Sequence, residues 1–397
     1  MPRKAAPAPV DLLEVESRLP EEARIARRSV ARFVDERFLP VIRDHFRAGT
    51  FPMDLVPEMA ALGLFGMTQQ GHGGAGLSHL AAGACMQELE RGDSALRSFA
   101  SVQGSLCMYP IDAFGSEAQK ARFLPAMARG EAIGCFGLTE PDAGSDPAAL
   151  RTRARRDGGD WVLSGSKAWI TNGTVADVAV IWAKVDGGDA GSIRGFLVER
   201  GAPGLEAREI RGKLALRASV TADLHLDGVR VPSENVLPGT EGMGLRAPLA
   251  CLTRARFGIA WGAVGAAVAC FESARRHAVE RVQFGRPIGA FQLVQEKLVG
   301  IWEGIVQGQL LALRLGELAD AGRLGHLQVS MGKRANVRMA RDAARAAREV
   351  LGAGGVVDDH PPMRHMANLE AVHTYEGTHD VHTLVLGRAA TGLDAFS

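Results

Sequence analysis

Between Cys135 and about Gly242 the periodicity of the chain changes, and this change limits the possible architecture more than any other feature. Four segments there, WVLSGSKAWI, VADVAVIWAKV, RGFLVER and TADLHLDGVRV, are short and rich in β-branched and aromatic residues. Gly, Asp and Ser turns separate them, as expected of strands. The sequence on either side reads as helical. From Val10 to about Gly134, Ser116-Glu117-Ala118-Gln119 has the pattern of a capping box that opens a helix, with Gly130 as its stop. From Gly244 onward, Val294, Leu298, Ile301, Ile305, Leu311, Leu315 and Leu318 recur at three- and four-residue steps or near multiples, which makes an apolar stripe. The stretch Ile259 to Cys270 is rich in Ala and Gly, which lets helices pack closely. The expected fold class is α+β in three domains: helical over residues 1–134, a small β-barrel or sandwich over 135–243, and an antiparallel four-helix bundle over 244–397.

The 397 residues suffice for two or three layers of core. A balance of 46 Lys and Arg against 45 Asp and Glu argues against a nucleic-acid partner, which selects a basic excess. Cys85, Cys107, Cys135, Cys251 and Cys270 are odd in number and widely spaced, which suits buried free thiols in a reducing compartment. No uninterrupted apolar run reads as a membrane span. The start, MPRKAAPAPV, lacks the apolar centre of a secretion signal and reads as a frayed tail, so a cytoplasmic location is expected.

The segment Thr374-Tyr375-Glu376-Gly377-Thr378-His379-Asp380 carries the most chemistry. A glycine beside Glu376 can break a helix and admit a ligand close to the backbone. Partial desolvation of that carboxylate would favour its neutral form and make it a stronger base. A lone Glu in a helical sequence is more often a solvated charge. Glu90, Arg97, Ser98 and Ser101 are expected to share one helix face, where a buried Arg flanked by hydroxyls would receive a carboxylate, and an exposed Glu–Arg pair is the alternative. FGLTEPDAGSD (136–146) offers hydroxyls and backbone donors, or is a turn between domains. Both Glu370-Ala371-Val372-His373 and Glu376-Gly377-Thr378-His379 have the Glu-x-x-His spacing of di-iron bundles. They fall within ten residues of each other, and such sites draw the motif from two different helices, so no metal is expected. No G-x-G-x-x-G opens a helix after a strand, so a Rossmann unit is not supported. A non-catalytic helical scaffold is the remaining rival.

FGLTEPDAGSD, KAWITN (167–172), RVQFG (281–285) and YEGTHD occur in that order, and together they resemble the acyl-CoA dehydrogenase family. LERGDSALRS (89–98), NLEAV (368–372) and YEGTHDVH place the resemblance nearest its glutaryl-CoA-oxidising branch. The likeness covers nearly all of the chain after about residue 15. It implies that Phe136, Leu138, Thr139, Gly144 and Ser145 line FAD, with Ser145 also meeting the CoA side. It implies that Trp169, Ile170 and Thr171 stack on and hydrogen-bond to the flavin ring, and that Thr378 also contacts the cofactor. Arg281, Phe284, Gln292 and the loop of Glu349, Leu351, Gly352 and Ala353 would reach the FAD of a neighbouring subunit, which implies a homotetramer. Ala353 stands where the family usually has a glycine. Leu252, Thr253 and Arg256 would contact the CoA thioester, with Arg254 available to a CoA phosphate. The family pattern LNNAR reads Leu252-Thr253-Arg254-Ala255-Arg256 here. Glu90, Arg97, Ser98, Ser101, Tyr375 and Gly377 would hold the acyl part. Glu376 would be the base, with its backbone N–H on the thioester oxygen. The implied reaction is oxidation and decarboxylation of glutaryl-CoA to crotonyl-CoA in lysine and tryptophan degradation, with electrons leaving to an electron-transfer flavoprotein. A short-chain acyl-CoA dehydrogenase or a non-decarboxylating glutaryl-CoA enzyme is the alternative.

Overall fold

The structure, a computed structural model, describes residues 8–185 and 192–395. The first seven residues of the expected tail lie outside the described residues. Seven helices precede the first strand: α1 Glu21–Phe33, α2 Leu39–Ala48, α3 Val56–Ala61, α4 His79–Gly92, α5 Ser94–Ser101, α6 Tyr109–Phe114 and α7 Glu117–Ala128. The capping box of α7 is formed: Gln119 N donates to Ser116 Oγ at 3.2 Å, and Ser116 N donates to Gln119 Oε1 at 2.9 Å. Gly130 lies just past its end with φ 71°.

Helices α4 and α5 correct one expectation. Glu90 and Arg97 do not lie on one continuous helix, because Asp93 between them is extended, with φ −169° and ψ 149°. Its side chain caps α5 by accepting Ala95 N at 2.8 Å, which starts a new helix at a new angle. Helix α4 is buried around nearly its whole circumference from Leu80 to Glu90, so its apolar pattern is not one-sided.

All four segments expected to be strands are strands: β3 Asp160–Thr171, β4 Val178–Val185, β5 Ile193–Glu199 and β7 Thr221–Val231. Three further strands join them, β1 Gly134–Gly137, β2 Arg153–Asp157 and β6 Leu205–Glu209. They pair in the order β1-β4-β2-β3-β7-β6, with β5 also on β4. One part of β4 runs parallel to β1 and its last residues run parallel to β2, while β5 is antiparallel to it throughout. The pairing is therefore mixed. The strands enclose one core of Trp161, Leu163, Ile181, Phe196, Leu226 and Val229. Trp161 meets Phe196 edge-on at 5.7 Å between ring centroids. A register shift between Lys167 and Ile170 bulges β3 at its last turn.

Beyond the strands come α8 Arg246–Glu280, a hairpin of β8 Val282–Gln283 and β9 Arg286–Pro287, α9 Gln292–Asp320, α10 His326–Val350, α11 Pro361–Thr374 and α12 His379–Thr391. Helix α10 packs against α8, α9, α11 and α12. The small residues of α8 are required by its neighbours. A Cβ at Gly262 would stand 2.0 Å from Glu90 Oε2, and one at Gly265 would stand 1.9 Å from Gln87 O. Against expectation, α8 is long and apolar enough to cross a membrane by length and composition, but most of that stretch is buried by the helices around it, as in a core helix.

Candidate active site

Helices α11 and α12 are joined by Tyr375, Glu376, Gly377 and Thr378. Thr378 caps α12 by accepting Val381 N at 3.1 Å. The caps of two helices leave a tight turn between them, and Glu376 takes φ 52° and Gly377 φ 87°. A left-handed conformation costs a residue with a side chain about 1–2 kcal/mol, so surrounding contacts must hold it. Lys333 of α10 donates from Nζ to Tyr375 O and, at 2.6 Å, to Gly377 O. Arg256 of α8 donates from Nε to Glu376 O at 2.7 Å. Two cations thus bind three successive carbonyls. A side chain at position 377 would be 2.9 Å from His382 Nε2 and 3.1 Å from Arg256 Nη2, so only glycine fits.

The carboxyl oxygen Oε2 of Glu376 is buried and has no hydrogen-bond partner among the described residues. Burial holds its pKa above the usual carboxylate range, and Arg97, Lys333 and Arg256 pull the other way. Burial conversely pushes the Lys333 ammonium down, against the pull of Glu376.

Arg97 has a side chain 0% exposed. Its Nε donates to Glu90 Oε2 at 2.7 Å, its Nη2 donates to Tyr375 Oη, and its Nη1 has no partner among the described residues. Ser94 Oγ donates to Glu90 Oε1 at 2.7 Å, so both carboxylate oxygens are engaged. Ser101 Oγ is buried and unpartnered, and Ser98 is buried beside it. The structure therefore brings Glu90, Arg97, Tyr375 and Glu376 together despite the helix break. An unpaired donor on a buried cation carries a desolvation cost that an anionic ligand would relieve.

Other candidates fall into separate groups. Thr253 and Arg254 line a cleft of about 650 Å³ together with Thr68, Ala100, Tyr109 and His326. Arg254 lies 4.2 Å over the Tyr109 ring. Neither Arg97 nor Glu376 lines this cleft, and Arg256 faces the turn instead. Leu252 is half-buried against the core.

The 136–146 loop and the end of β3 are tied together. Ala168 N donates to Thr139 O at 2.9 Å, and Lys167 Nζ donates to Glu140 Oε1 at 2.8 Å. Phe136 and Leu138 are buried, with Phe136 5.9 Å from the Trp182 ring, whereas Gly144 and Ser145 are exposed. The bulge gives Trp169 φ 61° and turns its ring outward, 63% exposed. Ile170 points into the β core, so it can offer a ligand only its backbone, and Thr171 is half-buried at the strand end. Arg281, Gln292 and Phe284, the last 92% exposed, stand around the β8–β9 hairpin. Lys297 of α9 pairs with Glu349 at 2.6 Å, next to exposed Gly352 and Ala353 and buried Leu351. Glu370 pairs with Arg341 at 2.9 Å, and the His373 and His379 rings stack at 4.6 Å. Among the described residues no group of three or more His, Cys, Asp and Glu could hold a metal ion.

Lys333 was missed from sequence because α10 is rich in Arg and reads as solvated. The available signal was its place on the same face as Val329, Val337 and Ala340, where a cation is out of pattern.

The acyl-CoA dehydrogenase N-terminal domain matches residues 20–131, the middle domain 135–229 and the C-terminal domain 242–391. The chain is 35% identical to the glutaryl-CoA dehydrogenase of Desulfococcus multivorans over 383 residues, 94% of this chain and 98% of that one. It is equally 35% identical to the mitochondrial short-chain specific acyl-CoA dehydrogenase of Rattus norvegicus over 370 residues, 93% of this chain and 90% of that one. A crystal structure of a glutaryl-CoA dehydrogenase from Mycobacterium smegmatis in complex with FADH2 superposes with a TM-score of 0.96 at 48% identity, covering 99% of this chain and 100% of that one. A glutaryl-coenzyme A dehydrogenase in complex with glutaryl-CoA gives 0.91 at 34% identity, covering 94% of this chain and 96% of that one.

Proposed function

This chain belongs to the acyl-CoA dehydrogenase family, and from that premise we propose that it oxidises and decarboxylates glutaryl-CoA. It is an FAD-dependent oxidoreductase acting on a CH–CH bond. Exposed Trp169 on its bulge, with Thr171 and the open loop at Gly144 and Ser145, fits a flat aromatic cofactor with polar edges. Phe136, Leu138 and Thr139 would back that loop. Arg281, Phe284, Gln292 and the 349–353 turn would serve the cofactor of another subunit in a homotetramer, which gives Phe284 a partner. Bound FAD supplies the acceptor for the hydride leaving the β-carbon.

The residues of the chain do the rest. Glu376 removes the α-proton, helped by burial that makes it more basic than a solvated carboxylate. Its backbone N–H faces the developing charge on the thioester oxygen. The CoA portion occupies the cleft walled by Thr253 and Arg254. Arg97, with Ser98 and Ser101, receives the distal carboxylate. After oxidation the bond from the γ-carbon to that carboxylate breaks. Carbon dioxide leaves, the electron pair stays in a dienolate, and protonated Glu376 returns its proton to give crotonyl-CoA.

The observation that carries the substrate reading is the buried Nη1 of Arg97 and, one turn on along α5, the buried Oγ of Ser101, neither with a hydrogen-bond partner among the described residues. A straight-chain acyl group has no use for a cation there. The equal likeness to a short-chain enzyme keeps butyryl-CoA as the second reading. Electrons would pass to an electron-transfer flavoprotein in the cytoplasm.

Glutaryl-CoA and butyryl-CoA offered in parallel, with products identified by mass, test this. Crotonyl-CoA and carbon dioxide from glutaryl-CoA, in preference to butyryl-CoA turnover, are expected. Glutaconyl-CoA as the final product would mark a non-decarboxylating enzyme. Glu376→Gln should lose at least roughly 100-fold in turnover, as for loss of a general base, while still releasing FAD on denaturation. Preference for butyryl-CoA, or near-normal turnover in the variant, would overturn the reading.

A further inference from the structure

We propose that Lys333 is a positioning residue for Glu376, holding the left-handed turn that aims the carboxylate and keeping a cation beneath it. The proposal rests on Glu376 being the base. Lys333 is 2% exposed, and its ammonium, 5.7 Å from the Tyr375 ring centroid, does not hydrogen-bond the Glu376 carboxylate. It bonds instead to the carbonyls on either side of Glu376, Tyr375 O and Gly377 O. Those two contacts bracket the residue with φ 52°: they hold the peptide plane before it and the plane after Gly377, while Arg256 holds the plane between through Glu376 O. The base is therefore anchored from α10, a long helix packed against four others, and not from the short turn that carries it.

The charges around Lys333 come from every side. Glu376 and Tyr375 face it from the turn, Arg256 from α8 and Arg97 from α5. His382 of α12 and His373 of α11 feel its charge, and Glu90 of α4 acts on Glu376 in turn. His382 Nδ1 lies 3.0 Å from Ser330 Oγ, one turn before Lys333 on α10, which ties α12 to the same helix. Glu376 is the carboxylate whose ionisation the ammonium favours, together with Arg97, the larger influence, and Arg256. Burial of so large a polar group is explained when its donors are counted against the carbonyls they satisfy.

The test uses the full-length holoenzyme and two variants, with FAD content per chain as the check on folding. Lys333→Gln keeps a donor but loses the charge. Its turnover should fall at least tenfold, its KM for the thioester should change less than about threefold, and the acid limb of its kcat/KM profile should rise by about one pH unit. Lys333→Arg keeps the charge but cannot place one compact ammonium between two carbonyls. It should leave the acid limb in place and still lower kcat. Wild-type kcat and an unmoved limb in Lys333→Gln would overturn the proposal. So would a limb in Lys333→Arg displaced as far as in Lys333→Gln. If Lys333→Gln does not retain flavin, unchanged kcat in Lys333→Arg alone overturns it. Failure of Glu376 as the base would show separately, as near-normal turnover in Glu376→Gln.

Discussion

A guanidinium as fully buried as that of Arg97 is costly unless its donors are used, and the two N–H groups of Nη1 have no acceptor among the described residues. Glu90 cancels its charge through Nε, and Tyr375 accepts from Nη2. What remains is the pair of N–H donors on Nη1, one helical turn from the Ser101 hydroxyl on α5, which selects for an oxygen anion. Arg97→Met should lower kcat/KM for glutaryl-CoA at least tenfold, roughly 1.4 kcal/mol, and barely change butyryl-CoA turnover. The single variant strands Glu90 in a dry site, so Glu90→Gln with Arg97→Met is the cleaner comparison. Equal losses for both substrates in that double variant would exclude a carboxylate receptor. Glu376, Arg97 and Ser101 were legible in sequence because each sits in a short run with strong company. Lys333 was not, since its carbonyl partners are 42 and 44 residues away and no motif spans that gap. Arg256 was legible as important but was expected on CoA. The structure puts it on the Glu376 backbone, a contact between α8 and a turn that no local pattern encodes.

At the scale of the element, the break between α4 and α5 decides where Arg97 points. Asp93 makes the break and is locked by α11: Arg364 Nε and Asn368 Nδ2 both donate to its Oδ2 at 2.9 Å. Asp93→Ala would remove a helix cap and leave the Arg364 charge buried without its partner. A loss of about 3–5 kcal/mol in unfolding free energy is expected, read from the denaturant midpoint. Asp93→Asn keeps a cap and should lose less; a midpoint unchanged in the Ala variant would show that α11 does not depend on this contact. The strands illustrate the same limit on local reading. Strands β3, β4, β5 and β7 were legible because they bury apolar residues on at least one face. Strands β2 and β6, with sequences RARRD and LEARE, are mostly charged and exposed, and they are strands because β3 and β4 offer β2 backbone partners and β7 offers one to β6.

Across the whole molecule, Asn368 of α11 touches both other parts of the chain. Its Nδ2 reaches Asp93, and its Oδ1 accepts Leu216 N from the loop before β7 at 2.8 Å. Arg217 in that loop donates to Phe46 O at 2.8 Å and Arg47 O at 2.7 Å, at the end of α2. Helix α11 thus links the helical and β parts, and its interior ionisable groups should affect the stability of the whole. His365 lies on this helix, is fully buried, and burial brings it down to about 3, with Arg364 adding to the effect. In the unfolded chain it would protonate near 6.5, the ordinary histidine value. The stability it allows is present above that pH and is lost as the pH falls from about 6.5 towards about 3, because only the unfolded state takes up the proton. The full loss is on the order of 5 kcal/mol. Glu376 and Asp93, both raised by burial, act in the opposite direction as the pH falls because they take up protons before an unfolded chain would. The wild-type total is therefore a balance, and the difference between two proteins isolates the histidine. Unfolding free energies of wild type and His365→Gln measured from pH 7 to pH 4 should diverge at the acid end. The variant should lack a dependence equivalent to about one proton, whatever its absolute stability at pH 7. Parallel curves over that range would mean that His365 is protonated in the folded protein and that its burial has no part in acid lability.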